Sequence, residues 1–375
     1  MQSRISCYVR RAACLTVLLC LSALWSAARA DVTIKQTVSS RGLGGFMDTD
    51  MKIETMISGD KQCENSEVMM NNKLMAMFGA GSEPINTSTI TRLDKDLVWE
   101  VMHADKMYSE EKLSVKKARM EQYQAATGDE EADSDESGMG MGSDEVEWGE
   151  PTFSVENTGK TETIAGYKCD QSIVKMDVEG KQKDTGEPVM LHLTMDLFMA
   201  KDVPGLDEMM AFSKKEATAL GEDAPEDMSP AYGMLEMLSE FGVKSEDVIK
   251  EAEKIEGYPF RMTVEMRGEG GQFDENPSGM SAEDQAKMEE AMEAMKNLGE
   301  MFGASDSEEA DESEEPAEES EAMAAESDGT LFKVTTEVTG LSTDAIKAGS
   351  FEPPSTYKKV SMDSMDSTGD DDGDE

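Results

Sequence analysis

Histidine is nearly missing from this 375-residue chain: His103 and His192 are the two present. Any His-dependent triad or zinc site would have to use one of them, and they stand far apart. His192 falls opposite the apolar positions of its alternating run, a surface position rather than a catalytic one. Other catalytic signatures are missing too. There is no phosphate loop, no dinucleotide glycine pattern between a strand and a helix, no zinc-protease helix and no nucleophile elbow. Gly138-Met139-Gly140-Met141-Gly142 lies among acidic residues and reads as a spacer. Carboxylates are too numerous for any pair to stand out as an acid/base couple. No enzyme, cofactor or defined metal site is therefore expected. Base is scarce as well: 35 Lys and Arg face 80 Asp and Glu, a net charge of −45. Such a chain is repelled by nucleic acid and by anionic lipid.

Much of the surplus acid sits in three stretches. Asp129 to Glu150 has ten acids, Asp306 to Asp328 twelve and Asp363 to Glu375 seven, none with a base. They are rich in Glu, Asp, Ser, Ala and Gly and cannot bury enough apolar surface to order. Disordered acidic loops are expected at about 125–150 and 303–328, with a disordered tail over 361–375. Calcium would be held only diffusely, because no stretch has the spaced ligands of a calcium loop.

Long apolar runs are confined to the N-terminus. Arg4, Arg10 and Arg11 precede an apolar stretch from Ala12 to Trp25, and Ala28-Arg29-Ala30 offers a small-x-small cleavage site. That is the layout of a secretory signal peptide over residues 1–30, and the stretch is short for a membrane span. The expected product is periplasmic or secreted, begins at Asp31 and has no transmembrane segment. Three of the five cysteines leave with the signal, so Cys63 and Cys169 remain. An even pair in an oxidising compartment is expected to form a disulfide.

What is present is alternation. Met47 to Ile57, Leu97 to Val101, Val189 to Met199, Phe260 to Met266 and Phe332 to Val338 each alternate apolar with mainly polar residues. This is the pattern of antiparallel strands with one buried face. Helices are expected over Leu206 to Leu220, Tyr232 to Phe241 and Ser245 to Ile255, within a helical insertion at about 206–256. Another begins at the capping-box-like Ser281-Ala282-Glu283-Asp284. It carries Met288, Met292, Met295, Leu298 and Phe302 on one stripe. One mainly β (α+β) domain over 31–360 follows.

Four stretches resemble a family of secreted bacterial proteins of unknown function, related to the half-open barrels of the lipoprotein carriers LolA and LolB. They are Arg92 to Tyr108, Lys160 to Cys169, Phe198 to Gly205 and Phe351 to Val360. The second, Lys-Thr-Glu-Thr-Ile-Ala-Gly-Tyr-Lys-Cys, is the most specific. The fourth is similar to the family's Phe-x-x-Pro-x-x-Tyr close. The resemblance implies a strongly curved antiparallel sheet, an incomplete barrel, with helices over its concave face. In the carriers that cleft holds acyl chains, but no carrier functional residue maps onto a motif of this chain.

Methionine, 32 residues in all, fits such a cleft because it packs adaptably against variable apolar surfaces. Trp99, Met195, Met288, Met292, Met295 and Leu298 are the candidate lining. The functional expectation is a non-enzymatic exported protein that holds a lipid-like ligand, another apolar ligand or a partner's apolar segment. The alternatives are an envelope metal-binding protein, holding copper(I) by methionine thioethers or calcium weakly, or a stress protein, and an acidic structural or surface protein. Export processing has a direct check: N-terminal sequencing of the exported protein should begin at Asp31-Val32-Thr33.

Overall fold

A computed structural model describes residues 31–42, 48–71, 84–128, 146–221, 250, 254–271, 273 and 329–361. The expected signal peptide, the helices over 232–241 and 281–302, the acidic loop at 303–328 and nearly all of the tail lie outside them. So do most of the first acidic loop and of the helix expected over 245–255.

Among the described residues thirteen strands form one sheet. They are β1 (Val32–Gly42), β2 (Thr49–Ser58), β3 (Lys61–Met70), β4 (Ile85–Arg92), β5 (Leu97–Met102), β6 (Met107–Glu111), β7 (Val146–Trp148), β8 (Thr152–Ile164), β9 (Tyr167–Gln182), β10 (Pro188–Ala200), β11 (Tyr258–Glu269), β12 (Thr330–Ser342) and β13 (Lys358–Lys359). The order is β13-β6-β5-β4-β3-β2-β1-β12-β11-β10-β9-β7, with β8 also paired to β9. All pairs are antiparallel except β13 with β6. The protein is mainly β, and the sheet is large, curved and open rather than closed into a barrel.

Local chemistry sets the turns. Gly59 and Asp60 join β2 to β3 as a two-residue hairpin, with Gly59 at φ 64°. Ala165 and Gly166 join β8 to β9 with φ of 48° and 87°. Two positive φ values match the right-handed twist of the flanking strands. Alanine at the first of them carries a strain that glycine would relieve.

Two helices occur among the described residues, α1 (Leu113–Gly128) and α2 (Leu206–Leu220). The second falls where its apolar spacing puts it. It starts after Pro204-Gly205 and stops at Gly221, whose φ of 82° lets its N–H close on the carbonyls of Ala217 and Thr218. Phe212 is its fully buried anchor. The helix α2 packs against β2 and the 3-10 turn Leu93–Lys95, and α1 packs against α2. Lys215 bonds Asp60 at 2.5 Å and Glu208 accepts from the Gly59 N–H at 3.2 Å, pinning α2 to the β2–β3 turn.

The sheet has two unlike faces. Directly paired residues share a face, so a row can be followed across strands. Leu197, Met262, Thr336, Val38, Met51, Val68 and Ile85 form one row from β10 to β4, apolar except for one threonine. Arg261, Glu337, Thr37, Lys52, Glu67 and Asn86 form another, polar throughout, on the opposite face. The main core lies on the apolar face at β9–β12, where Met176, Leu193, Met195, Leu197 and Met266 are each less than 5% exposed.

At the outer side of the sheet order, β8 carries a bulge between Asn157 and Thr161. Gly159 there has φ 74°, Ser172 donates to Asn157 at 2.7 Å, and Thr158 donates to Gln171 at 2.9 Å.

The expected disulfide is corrected. Cys63 and Cys169 are both free thiols, buried in different apolar clusters. Five strands lie between β3 and β9 in the sheet order. The two thiols thus sit on strands that are not neighbours and in separate clusters, and no bond joins them. Burial first, and the nearby Glu54 and Glu64 carboxylates second, push the Cys63 thiol up to about 11. It is thus protonated and unreactive at neutral pH. A thiol reagent should label neither cysteine in the folded chain from Asp31 and both after unfolding without reductant. A bridged chain would take up none in either state.

Candidate binding surfaces

Of the residues expected to line one cleft, Trp99 and Met195 do not come together. Trp99 belongs to a cluster with Cys63, Ile90, Val101 and Phe351, and Met195 to the core of β9–β12. The register places them on opposite faces. Trp99 pairs with Ile90, Ile90 with Cys63, Cys63 with Met56 and Met56 with Thr33, on the polar-row side of β1. Met195, next to Asp196, lies on the apolar side. Both are nearly inaccessible, at 5% and 4% exposure. Trp99 is held by packing and by its Nε1–H, which donates to Glu110 at 2.8 Å, with Lys95 over its ring at 5.4 Å. Met288, Met292, Met295 and Leu298 lie outside the described residues.

The Trp99 cluster is closed by the C-terminal segment, residues 343–361. Its Phe351 is 1% exposed, and Ile346 and Tyr357 pack on the same cluster. Phe351 and Tyr357 belong to the last of the four family-like stretches, whose apolar members insert into this end of the sheet. Arg92, with its side chain 7% exposed, clamps the segment. It donates to the Phe351 carbonyl at 3.3 Å, to both oxygens of Asp94 at 2.7 and 2.8 Å, and to Glu352. The Arg92 hydrogen bond holds the Asp94 carboxyl below its ordinary range. Burial pushes Glu352 up, but Lys95 and Arg92 outweigh it and the net shift is downward.

Two open surfaces among the described residues bear on binding. The first is the β1–β4 end of the apolar row. Val38, Met51 and Val68 are partly exposed there, Ile85 is 47% exposed and neighbouring Met70 38%. The second is a trough of about 650 Å³ on the polar face, floored by β1–β4 and flanked by His103 and Thr339. Lys35 bonds Glu54 at 2.9 Å and Lys52 bonds Glu67 at 2.7 Å, each pair bridging adjacent strands.

Valence fixes the hydrogen-bond directions at the trough wall. The Glu54 carboxylate only accepts, so the Asn65 atom 3.3 Å from it is the amide nitrogen. The Asn65 oxygen then accepts from Ser88, at 2.7 Å, and from the Cys63 thiol, at 3.6 Å. With its hydrogen committed, Ser88 Oγ accepts from His103 Nε2–H at 2.6 Å. His103 Nδ1 accepts from the Tyr357 hydroxyl at 3.1 Å. A serine beside a histidine here is not a nucleophile and its base, because the imidazole donates to the hydroxyl instead of taking its proton.

Sequence reasoning missed the trough. Its only signal is the same-face spacing of Lys52 with Glu54 and of Asn65 with Glu67. His192 lies on the polar face as expected, 31% exposed and 2.6 Å from Asp177. Among the described residues no three His, Cys, Asp or Glu side chains group as a metal site, and no helix is long and apolar enough to cross a membrane. No protein-family model matches the chain, and a search of curated proteins finds no match.

The Arg92 clamp has a pH signature. Carboxyls lowered by folding contribute stability in full above the ordinary carboxylate values, about pH 4, and lose it as the pH falls through their lowered values. Arg92→Met should cost about 1–3 kcal/mol at neutral pH, since both carboxylates can rehydrate. The gap between wild type and variant in urea midpoint should be full at pH 7 and close below about pH 4.

Proposed function

We propose that this chain is a non-enzymatic exported binding protein whose open sheet holds a lipid-like ligand along its apolar row. The observation that carries the reading is the change in exposure along that row. Leu197, 3% exposed, is core, whereas Ile85, on the same face, is 47% exposed. From Thr336 through Val38, Met51 and Val68 to Ile85 the row crosses four strand steps, about 19 Å at the usual spacing. That is a long, narrow strip suited to an extended acyl chain. Methionine at 51 and 70 gives it an adaptable surface. Affinity would come from apolar burial, at about 25 cal/mol per Å² before ordering costs. The likeness to the acyl-chain carriers points the same way, as does an export-type N-terminus.

The acidic stretches have a role compatible with this one. They oppose electrostatic adhesion to anionic membrane surfaces, so a hydrophobic strip can be displayed without drawing the protein onto the bilayer.

A fluorescent fatty acid titrated into the full exported chain should bind and be displaced by unlabelled fatty acid. Ile85→Asp and Val68→Asp should each weaken binding at least tenfold, with the circular dichroism spectrum unchanged. Equal binding by both variants, or no binding by the wild type, would sink the reading.

A further inference from the structure

The geometry points to a second ligand site, on the other face: the polar trough takes a small zwitterion about the length of a dipeptide, with a charged amino end and a charged carboxylate end. The apolar row plays no part in it.

The trough is balanced in charge. The chain has more than twice as many acids as bases, yet the trough holds Lys35 and Lys52 against Glu54 and Glu67. These four charges form a checkerboard. Lys35 faces Glu54 and Lys52 faces Glu67 across strands, while Lys52 and Glu54 stand two residues apart on one strand and one face. A simple anion attracted to the lysines meets two carboxylates and the field of the whole chain. A simple cation attracted to the carboxylates meets two ammoniums. A ligand with both charges finds a partner for each.

Valence leaves room for it. Each ammonium has three N–H donors and spends one on its carboxylate. Glu67 uses Oε1 for Lys52, which leaves Oε2 to accept a ligand's ammonium. Glu54 is held for the task, because the directed chain from Tyr357 through His103, Ser88 and Asn65 fixes its Oε2. The spacing sets the length. Residues i and i+2 of a strand lie about 6.8 Å apart, and two extended residues span about 7 Å. His103 supplies the one ring in the lining, so the trough offers hydrogen bonds and charge rather than an aromatic stacking platform.

Isothermal titration calorimetry of the full exported chain tests this with four probes: glycylglycine, its N-acetylated amide, phosphocholine and sulfate. Glycylglycine should bind, and the blocked peptide and sulfate should bind at least tenfold more weakly. Binding of phosphocholine in place of glycylglycine would keep the zwitterion and identify a lipid head group as its source. Lys52→Gln and Glu67→Gln should each weaken binding about tenfold. Blocked peptide or sulfate binding as tightly as the zwitterions, single variants without effect, or no binding by any probe would overturn the proposal. Fatty-acid binding should be unaffected by these variants, so the two surfaces fail or stand separately.

Discussion

Alternation along the paired strands of one sheet is the constraint from which everything else follows. Each strand turns successive side chains to opposite faces, and each pairing carries that parity to its neighbour. One sheet thereby holds an oily row and a charged row a single residue apart. A one-residue slip between β1 and β2 would move Lys52 and Glu54 into the apolar row and Ile53 into the trough. Register is therefore fixed by both faces at once, and the cross-strand ion pairs add to it by penalising the wrong match.

Parity also explains why some strands could be read from the sequence and others could not. In β10, Val189, Leu191, Leu193, Met195 and Leu197 alternate with His192, Thr194 and Asp196, and the strand is plain. In β3, Lys-Gln-Cys-Glu-Asn-Ser-Glu places polar groups on both faces, because one face lines the trough and the other is not deep core. Such a strand shows no period. The helix α1 was missed for a related reason: its Lys, Arg, Glu and Gln residues leave no apolar stripe. The helix α2, with Leu206, Met209, Met210 and Phe212 near its start, has one.

The candidate lining shows where single-strand reading stops. Trp99 and Met195 each occupy the apolar phase of their own strand, and nothing local says whether those phases agree. Only the register through β4, β3, β2, β1, β12 and β11 reveals that they differ. Trp99 is apolar-phase because the C-terminal segment covers its side of the sheet, which puts a second small core where the polar row would otherwise run. The two cysteines were misjudged in the same way. An even count and an oxidising compartment favoured a bridge, but which strands are neighbours is set by the sheet order, and β3 and β9 are not neighbours.

The bulge in β8 has a consequence for the company this protein keeps. A sheet of thirteen strands with a long outer strand is a template on which copies could polymerise edge to edge. Asn157 to Thr161 break that border in mid-length, with a left-handed glycine and the exposed Lys160 at the break. At the other border β13, two lysines long, caps β6. An incoming strand thus meets a step on one side and a charged stub on the other, so the sheet can be large without growing into a filament.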